Sequence, residues 1–198
     1  DETAILTLTN GTGYTVGNPN SATGTIENED IQTTTANNSG VINIVNNSAA
    51  NPYPSNISIS GALGTITKVT VALEDLNHTR PNDIDILLIG PNNQNVLLMS
   101  DAGGNDDLIN VDLIFDQSAA NELENSSLIA PGTYLPSNFS NNPDVFPNPV
   151  PAGPYGNNLD VFNGTIANGT WSLYVFDDND NNDSGSIASG WALTIQTV

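Results

Sequence analysis

The chain has 198 residues and a formal net charge of −20, because 22 acidic residues face only Lys68 and Arg80 as basic ones. Two cations cannot form the basic patch that binding to nucleic acid or to anionic lipid requires, which argues against both classes of partner. The absence of cysteine also excludes disulfide bonds, zinc–thiolate sites and cysteine nucleophiles.

The composition predicts an all-β fold rather than a disordered chain. Strongly acidic chains are often disordered, but only 12% of these residues are charged, and the 37% that are hydrophobic recur in short regular runs. Much of the remainder is Asn, Ser, Thr and Gly, which are typical of turns and of the solvent-facing side of strands. No apolar run reaches the roughly 18 residues of a membrane-spanning helix.

Apolar and polar residues alternate with a period of two along most of the chain, which predicts strands. We expect a hairpin within residues 1–30, where the turn-rich "NGTGYTVGNPN" separates two short apolar runs, and a linker over residues 31–40. Residues 41–198 are predicted to form a jelly-roll β-sandwich of about eight or nine strands. The predicted strands cover residues 41–45, 56–60, 68–73, 84–90, 95–99, 111–115, 159–162, 170–176 and 191–198.

Residues 117–158 form a long segment in which no strand is predicted. Its last part, "NNPDVFPNPVPAGPYGNN", is rich in proline, which cannot donate to a strand ladder and favours an extended loop. Two interpretations of its aromatic residues remain open: they anchor the loop to the sandwich, which we favour, or they bind carbohydrate. These residues are Tyr134, Phe139, Phe146 and Tyr155.

Twelve of the 16 aspartates lie in two stretches, residues 75–116 and 177–183, and the second stretch is the densest. There, "DDNDNNDSG" contains Asp177, Asp178, Asp180 and Asp183 with no Lys or Arg nearby. Like charges this close repel, and a calcium ion would convert the repulsion into binding, since it takes six to eight oxygen ligands in flexible geometry. The alternative is a solvated loop that ions in solution screen.

Two residues of "PNDID" are a second candidate for calcium ligands. In a strand, residues i and i+2 face the same side, so Asp83 and Asp85 would project together at the start of the predicted strand 84–90. The alternative is that Asp83 caps a turn after Pro81 while Asp85 lies in water.

A third candidate lies around "SDAGGNDD", which follows the strand predicted over residues 95–99. It supplies Asp101, Asp106 and Asp107, and Asp116 ends the next predicted strand. The two glycines of this segment would let the backbone fold around an ion, but they equally fit an ordinary hairpin turn.

The sequence does not favour an enzyme. His78 is the only histidine, and no motif places a nucleophilic serine beside it. Pairs of aspartates hydrolyse glycosides in an aromatic cleft, but Trp171 and Trp191 alternate with aliphatic residues and are predicted to be core.

Two long motifs carry a resemblance to a known family. Residues 76–104, "LNHTRPNDIDILLIGPNNQNVLLMSDAGG", and residues 162–195, "FNGTIANGTWSLYVFDDNDNNDSGSIASGWALTI", resemble the P domain of the proprotein-convertase family. The resemblance covers about residues 38–198 and is greatest for a bacterial subgroup with the insertion "DVFPNPVP". The loop "DNDNND" and the segment "LEDLNH" are more acidic than is usual in that family. The resemblance implies a jelly roll that follows a subtilisin-like catalytic domain, and a structural role for His78.

The first thirty residues resemble a different family. "ETAILTLTNGTGYTVGNPNSATGTIENED", residues 2–30, is similar to the closing hairpin of a Calx-beta domain, so residues 1–30 are interpreted as the C-terminal part of such a domain. A hairpin is marginally stable by itself in water, so we expect this part to depend on a neighbour.

Together the motifs and the acidic loops predict a non-catalytic, calcium-stabilised module of a larger exported bacterial protein, located outside the cell or at its surface. The alternatives are a carbohydrate-binding jelly roll and an accessory domain of a subtilisin-like protease. The expected partners are calcium ions and a neighbouring domain, a surface protein or a polysaccharide.

Overall fold

Nearly all of the regular structure is β-strand. The computed structural model describes residues 2–26, 30–139 and 143–198, and within these ranges it has thirteen strands and two short 3₁₀ helices. The strands are β1 Glu2–Thr7, β2 Ser21–Ile26, β3 Gln32–Asn38, β4 Ile42–Val45, β5 Ser55–Ile59, β6 Ile66–His78, β7 Ile84–Ile89, β8 Asn95–Ser100, β9 Leu108–Asp116, β10 Gly132–Tyr134, β11 Ser137–Asn138, β12 Gly169–Asp177 and β13 Ser184–Thr197. The 3₁₀ helices are Pro81–Asp83 and Leu159–Phe162.

Eleven of the strands form two sheets that pack as a sandwich. The first sheet has the order β10-β9-β6-β13-β3, with β4 paired to the beginning of β13, and the second has the order β11-β8-β7-β12-β5. The short strands β10 and β11 join the two sheet edges in parallel, whereas the other pairs are antiparallel. The predicted all-β sandwich, preceded by a hairpin, is confirmed.

The core forms because alternate residues of the long strands face inward. In β6 the inward residues are Val69, Val71 and Leu73, all of them buried. An irregularity in the pairing with β9 after Leu73 shifts the alternation, so that inward positions resume at Leu76 and His78. The shift therefore places a polar imidazole at the inner face of the sheet, at the end of the strand.

Both tryptophans belong to the core, as the sequence predicted. Trp171 and Trp191 are fully buried, and each indole N–H has an acceptor. Trp171 donates to the carbonyl oxygen of Ala167 at 2.9 Å, and Trp191 donates to Ser55 Oγ at 3.0 Å. A satisfied N–H lets an indole be buried without the cost of an unpaired donor.

The described part of the long segment packs on the sandwich, and its residues Phe146, Val150 and Tyr155 cover the outer face of the second sheet. Phe146 packs in a second apolar cluster with Leu87 and Leu97, and the edge of Tyr155 meets its ring at a centroid distance of 5.4 Å. The rings of Tyr134 and Phe139 pack on the main core instead. All four aromatic residues thus hold the segment in place, which confirms the anchoring prediction.

Two local predictions differ from the structure. Seven residues of the expected linker 31–40 form β3, which pairs with β13. This strand has few apolar residues because it lies at a sheet edge, where Thr35 and Thr194 meet through their hydroxyls at 3.2 Å. Residues 159–162, predicted as a strand, form a 3₁₀ helix because Asn158 Oδ1 accepts a hydrogen bond from the N–H of Asp160.

The N-terminal hairpin consists of β1 and β2, paired antiparallel from Glu2↔Ile26 to Thr7↔Ser21. The register places Leu6 opposite Ala22, and every residue of both strands is exposed. The division of the chain into a Calx-beta-like part and a P-domain-like part stays a prediction. Within the described ranges, no helix has the length and apolar character needed to cross a membrane.

Candidate metal centre

Strands of both sheets bring acidic residues together at one end of the sandwich. The beginning of β7 lies beside the end of β12, where Asp85 is paired with Phe176. The end of β6 lies beside the beginning of β13, where His78 is paired with Gly185. Asp101 follows the end of β8 directly, and the long segment adds Asp144.

The first group of acids, named the Asp85 cluster, consists of Asp85, Asp101 and Asp144. One carboxylate oxygen of each lies within 4.8 Å of the others. Ser100 Oγ lies 3.0 Å from Asp101 Oδ2 and 3.0 Å from Asp144 Oδ1, and it also hydrogen-bonds Asp85. A hydroxyl has one hydrogen, so Ser100 donates to only one of the three carboxylates at a time.

Burial and mutual repulsion oppose ionisation of this cluster. Asp85 is only 3% exposed, and burial raises its pKa to about 8, with the charges of Asp144 and Asp178 as further causes. At the rim, desolvation raises the pKa of Asp178 to about 6, and the nearby charge of Asp101 adds to it. Desolvation also raises the pKa of Asp144. Like charges this close disfavour the simultaneous ionisation of the carboxylates, and a cation among them would favour it.

The second group, named the Asp177 cluster, consists of His78, Asp177 and Asp183, whose ligand atoms also lie within 4.8 Å of one another. Asp177 is fully buried, and its Oδ1 accepts the backbone N–H groups of Asn47 at 3.0 Å and Asn179 at 3.2 Å. Its Oδ2 lies 3.3 Å from His78 Nε2. Asp177 therefore links the two sheets and fixes the beginning of the loop 178–183.

Asp83 lies beside the Asp177 cluster. It ends the 3₁₀ helix Pro81–Asp83, and its carbonyl oxygen accepts the N–H of Asp178 at 3.0 Å. Its carboxylate accepts the side-chain amides of Asn181 at 2.7 Å and Asn179 at 3.4 Å. Burial is the main cause that raises the pKa of Asp83, and the adjacent Asp183 adds to the rise.

The structure places six of the ten predicted aspartates in or beside these two clusters and leaves four outside them. Asp116 forms an ion pair with Lys68 at 2.8 Å. Asp180 is exposed and accepts Asn46 Nδ2 at 3.0 Å. Asp106 and Asp107 are exposed in the turn between β8 and β9. The six are Asp83, Asp85, Asp101, Asp177, Asp178 and Asp183.

Sequence reasoning missed Asp144, which joins the Asp85 cluster from within the proline-rich part of the long segment. It is a lone acid in "NNPDVFPNPV", more than 25 residues from the nearest aspartate before it. Its carboxylate also accepts the amide of Asn138 at 3.1 Å. No local pattern marks it, because only the folding of the segment over the sheet edge brings it to the cluster.

Comparison with known proteins gives a partial likeness in fold. No family model and no curated protein matches the chain. The chain is similar to a serine protease of Aeromonas sobria in complex with its chaperone, with 17% identity and a TM-score of 0.44 over 85% of this chain. A structure of the Aeromonas sobria protease gives 14% identity and a TM-score of 0.42 over the same share. In both cases the chain spans 27% of the length of the matched chain.

Proposed function

We propose that this chain is a non-catalytic module of a larger exported protein and that a calcium ion bound by the Asp85 cluster stabilises it. The observation that supports this proposal most is the shortage of donors around Ser100. The three carboxylates of Asp85, Asp101 and Asp144 share the single hydroxyl hydrogen of Ser100, and Asp144 also accepts the Asn138 amide. The ion pairs in the described part of the chain do not involve any of the three.

Calcium fits the chemistry of this cluster better than other common ions. The available ligands are carboxylate oxygens and the Ser100 hydroxyl, with Asp178 at the rim, and hard oxygen donors favour calcium or magnesium over zinc or copper. Calcium tolerates six to eight ligands in irregular geometry, whereas magnesium requires a nearly ideal octahedron. Carboxylates that come from separate strands and from a long loop suit the more flexible ion.

The ion would stabilise the folded state because only that state brings the carboxylates together. At a free calcium concentration 100 times the dissociation constant, one site adds about 2.7 kcal/mol to the free energy of unfolding. For a domain of this size, that free energy corresponds to an increase in Tm of about 5–11 °C. Extracellular calcium is millimolar, so an exported module would hold the ion in its place of action.

The non-catalytic part of the proposal is supported by His78. It is the only histidine, it is 2% exposed, and its Nδ1 accepts the N–H of Arg80 at 3.2 Å. A buried imidazole whose nitrogens face protein groups has no access to a substrate. The motif resemblance to P domains supports a place in a larger exported protein, including one that carries a subtilisin-like protease domain.

Scanning calorimetry of the purified chain tests the proposal. We expect Tm to fall by about 5–11 °C for each calcium ion that a chelator removes, and magnesium at the same concentration to restore little of the loss. Asp144→Asn should reduce the calcium response strongly. Asp107→Asn is the matched control, since it removes the same charge from an exposed turn and should respond as the wild type does. An unchanged Tm with and without chelator would refute the proposal.

A further inference from the structure

Three carboxylate oxygens of the Asp177 cluster have no hydrogen-bond donor in the described part of the chain. In the described part of the chain, no hydrogen-bond donor reaches either oxygen of Asp183, although both oxygens are buried. Asp177 Oδ2 likewise accepts no hydrogen bond there, and its residue is fully buried. Buried carboxylate oxygens without partners are costly, so each one requires a physical explanation.

His78 does not supply a positive charge to this cluster. Its Nδ1 accepts a hydrogen bond from the backbone N–H of Arg80, and a backbone N–H acts only as a donor. Nδ1 is therefore unprotonated, so the imidazole is neutral and its hydrogen is on Nε2, which faces Asp177 Oδ2 at 3.3 Å. The contact is thus at most a weak hydrogen bond to one of the carboxylates.

The same tautomer excludes His78 as a metal ligand. A histidine that binds a metal through Nε2 presents a lone pair there, and its Nδ1–H normally donates to a carboxylate or carbonyl. In this protein Nδ1 faces a donor, so Nε2 keeps its hydrogen. The cluster consequently offers oxygen ligands only, which suits a hard cation and does not suit zinc.

Basic side chains do not neutralise the cluster either. Lys68 is paired with Asp116 at the other end of β6. The charge of Arg80 lowers the pKa of Asp83, after the larger effects of burial, Asn181 and Asp183, but within the described ranges Arg80 makes no ion pair shorter than 4.0 Å. Asp177 and Asp183 therefore lie in a group whose third member is an uncharged imidazole, and Asp83 adds another carboxylate beside Asp183.

We propose that Asp83, Asp177 and Asp183 bind a second calcium ion, distinct from the ion of the Asp85 cluster. The identity of the ion as calcium rests on the proposed function. The site itself consists of residues that do not belong to the Asp85 cluster. Asp83 and Asp183 lie close enough to share a hydrogen bond but, as carboxylates, neither has a hydrogen to donate. A cation between them satisfies the buried oxygens, and the imidazole of His78, whose Nε2 lies 3.3 Å from Asp177 Oδ2, limits where that carboxylate can lie.

The two ions would hold different parts of the acidic end. The Asp85 cluster joins β7, the turn after β8 and the long segment, whereas the second site joins the loop after β6 to the loop between β12 and β13. The sites meet at the N–H of Asp178, which donates to the carbonyl oxygen of Asp83. A substitution that removes the ion from one site should therefore leave the ion at the other site bound.

Native mass spectrometry of the chain, loaded with Ca²⁺ alone and freed of loosely bound ions, counts the sites. We expect two ions in the wild type, one in Asp183→Asn, one in Asp144→Asn and none in the double variant. His78→Gln should keep both ions and weaken the second about 10–100-fold, the effect usual for residues that orient metal ligands. Zn²⁺ at the same concentration should displace neither ion.

The possible failures are distinguishable. No ion in the wild type would refute the proposed function itself. A single ion that Asp144→Asn removes and Asp183→Asn leaves would refute only the second site. Loss of both ions in a single variant that still folds would also refute it. Displacement of one calcium by zinc that depends on His78 would refute an oxygen-only site. The wild-type count decides even if a variant fails to fold, because it requires no substitution.

Discussion

The acidic end of the sandwich and the Lys68–Asp116 pair are two ways in which one protein accommodates aspartate. Asp116 is partly buried at the end of β9, where Lys68 lies 2.8 Å away and the N–H of Ser118 donates to it at 2.8 Å. At the acidic end, Asp85 and Asp177 are more deeply buried, yet no lysine or arginine pairs with them in the described part of the chain.

The pKa directions of the two regions differ accordingly. Burial tends to raise the pKa of Asp116, but the hydrogen bonds from Lys68 and Ser118 outweigh it, so the pKa lies below its usual value. The pKa of Asp85 rises instead to about 8, since burial and like charges act in the same direction. The comparison teaches that a cation from the same chain keeps a partly buried aspartate ionised, whereas burial among like charges without such a cation favours the neutral acid.

The largest expected effect is that of Asp85→Asn. In calcium, the variant should lose the part of the calcium-dependent increase in Tm that the ion of the Asp85 cluster supplies, about 5–11 °C, and keep the part that the Asp177 cluster supplies. In chelator, the Tm of the variant should equal or exceed that of the wild type. The amide has the shape of the acid but lacks the negative charge that burial and the neighbouring carboxylates disfavour. Scanning calorimetry in both conditions measures the effect, and a variant that is less stable than the wild type by the same amount in both would contradict it.

A smaller effect is expected from Phe146→Ala, which changes no ligand. Phe146 packs on Leu87 and Leu97, two residues after Asp144, so its loss should loosen the segment that carries this carboxylate. We expect calcium affinity to fall about 10–100-fold, as for other residues that orient metal ligands. Isothermal titration calorimetry measures the affinity. Phe146→Leu is the control and should restore most of it; equal affinities in the wild type and Phe146→Ala would show that the packing of Phe146 is irrelevant to binding.

The smallest effect is expected from Lys68→Gln, which removes the cation of Asp116 and keeps most of the side chain. Both side chains are partly exposed, so the loss should be about 0.5 kcal/mol, or 1–2 °C in Tm, and equal with and without calcium. The folded-state pKa of Asp116 is lowered, so its contribution is present above about pH 4 and lost as the pH falls further. The difference in Tm between variant and wild type should therefore be smaller at pH 3 than at pH 7. A loss that grows in calcium would contradict the separation of the two regions.

Strand alternation predicted most of the sandwich, and its failures have local causes. Strands such as β7 and β12 are visible in the sequence because one or both of their faces are buried. β3 was predicted as linker because an edge strand whose faces are polar has no apolar period. The 3₁₀ helix Leu159–Phe162 was predicted as a strand because a four-residue apolar run does not distinguish the two, and the capping by Asn158 decided it.

The candidate site was predicted in part, because some of its aspartates lie in acidic motifs that are visible in the sequence. Asp83 and Asp85 lie in the loop and strand that sequence reasoning marked, and Asp177, Asp178 and Asp183 lie in the dense acidic loop. Density alone, however, did not separate Asp183 from Asp180, which is exposed, or Asp101 from Asp106.

The sequence by itself determined that the chain is a β-sandwich rich in turns and that its excess of aspartate has too few cations to balance it. Composition and the alternation of apolar and polar residues are local properties, so the sequence shows them without knowledge of the fold. Only the tertiary structure decided which carboxylates leave water and meet. Asp144 and Asp85 are 59 residues apart in the chain, and their contact depends on a proline-rich segment that apolar packing holds over a sheet edge.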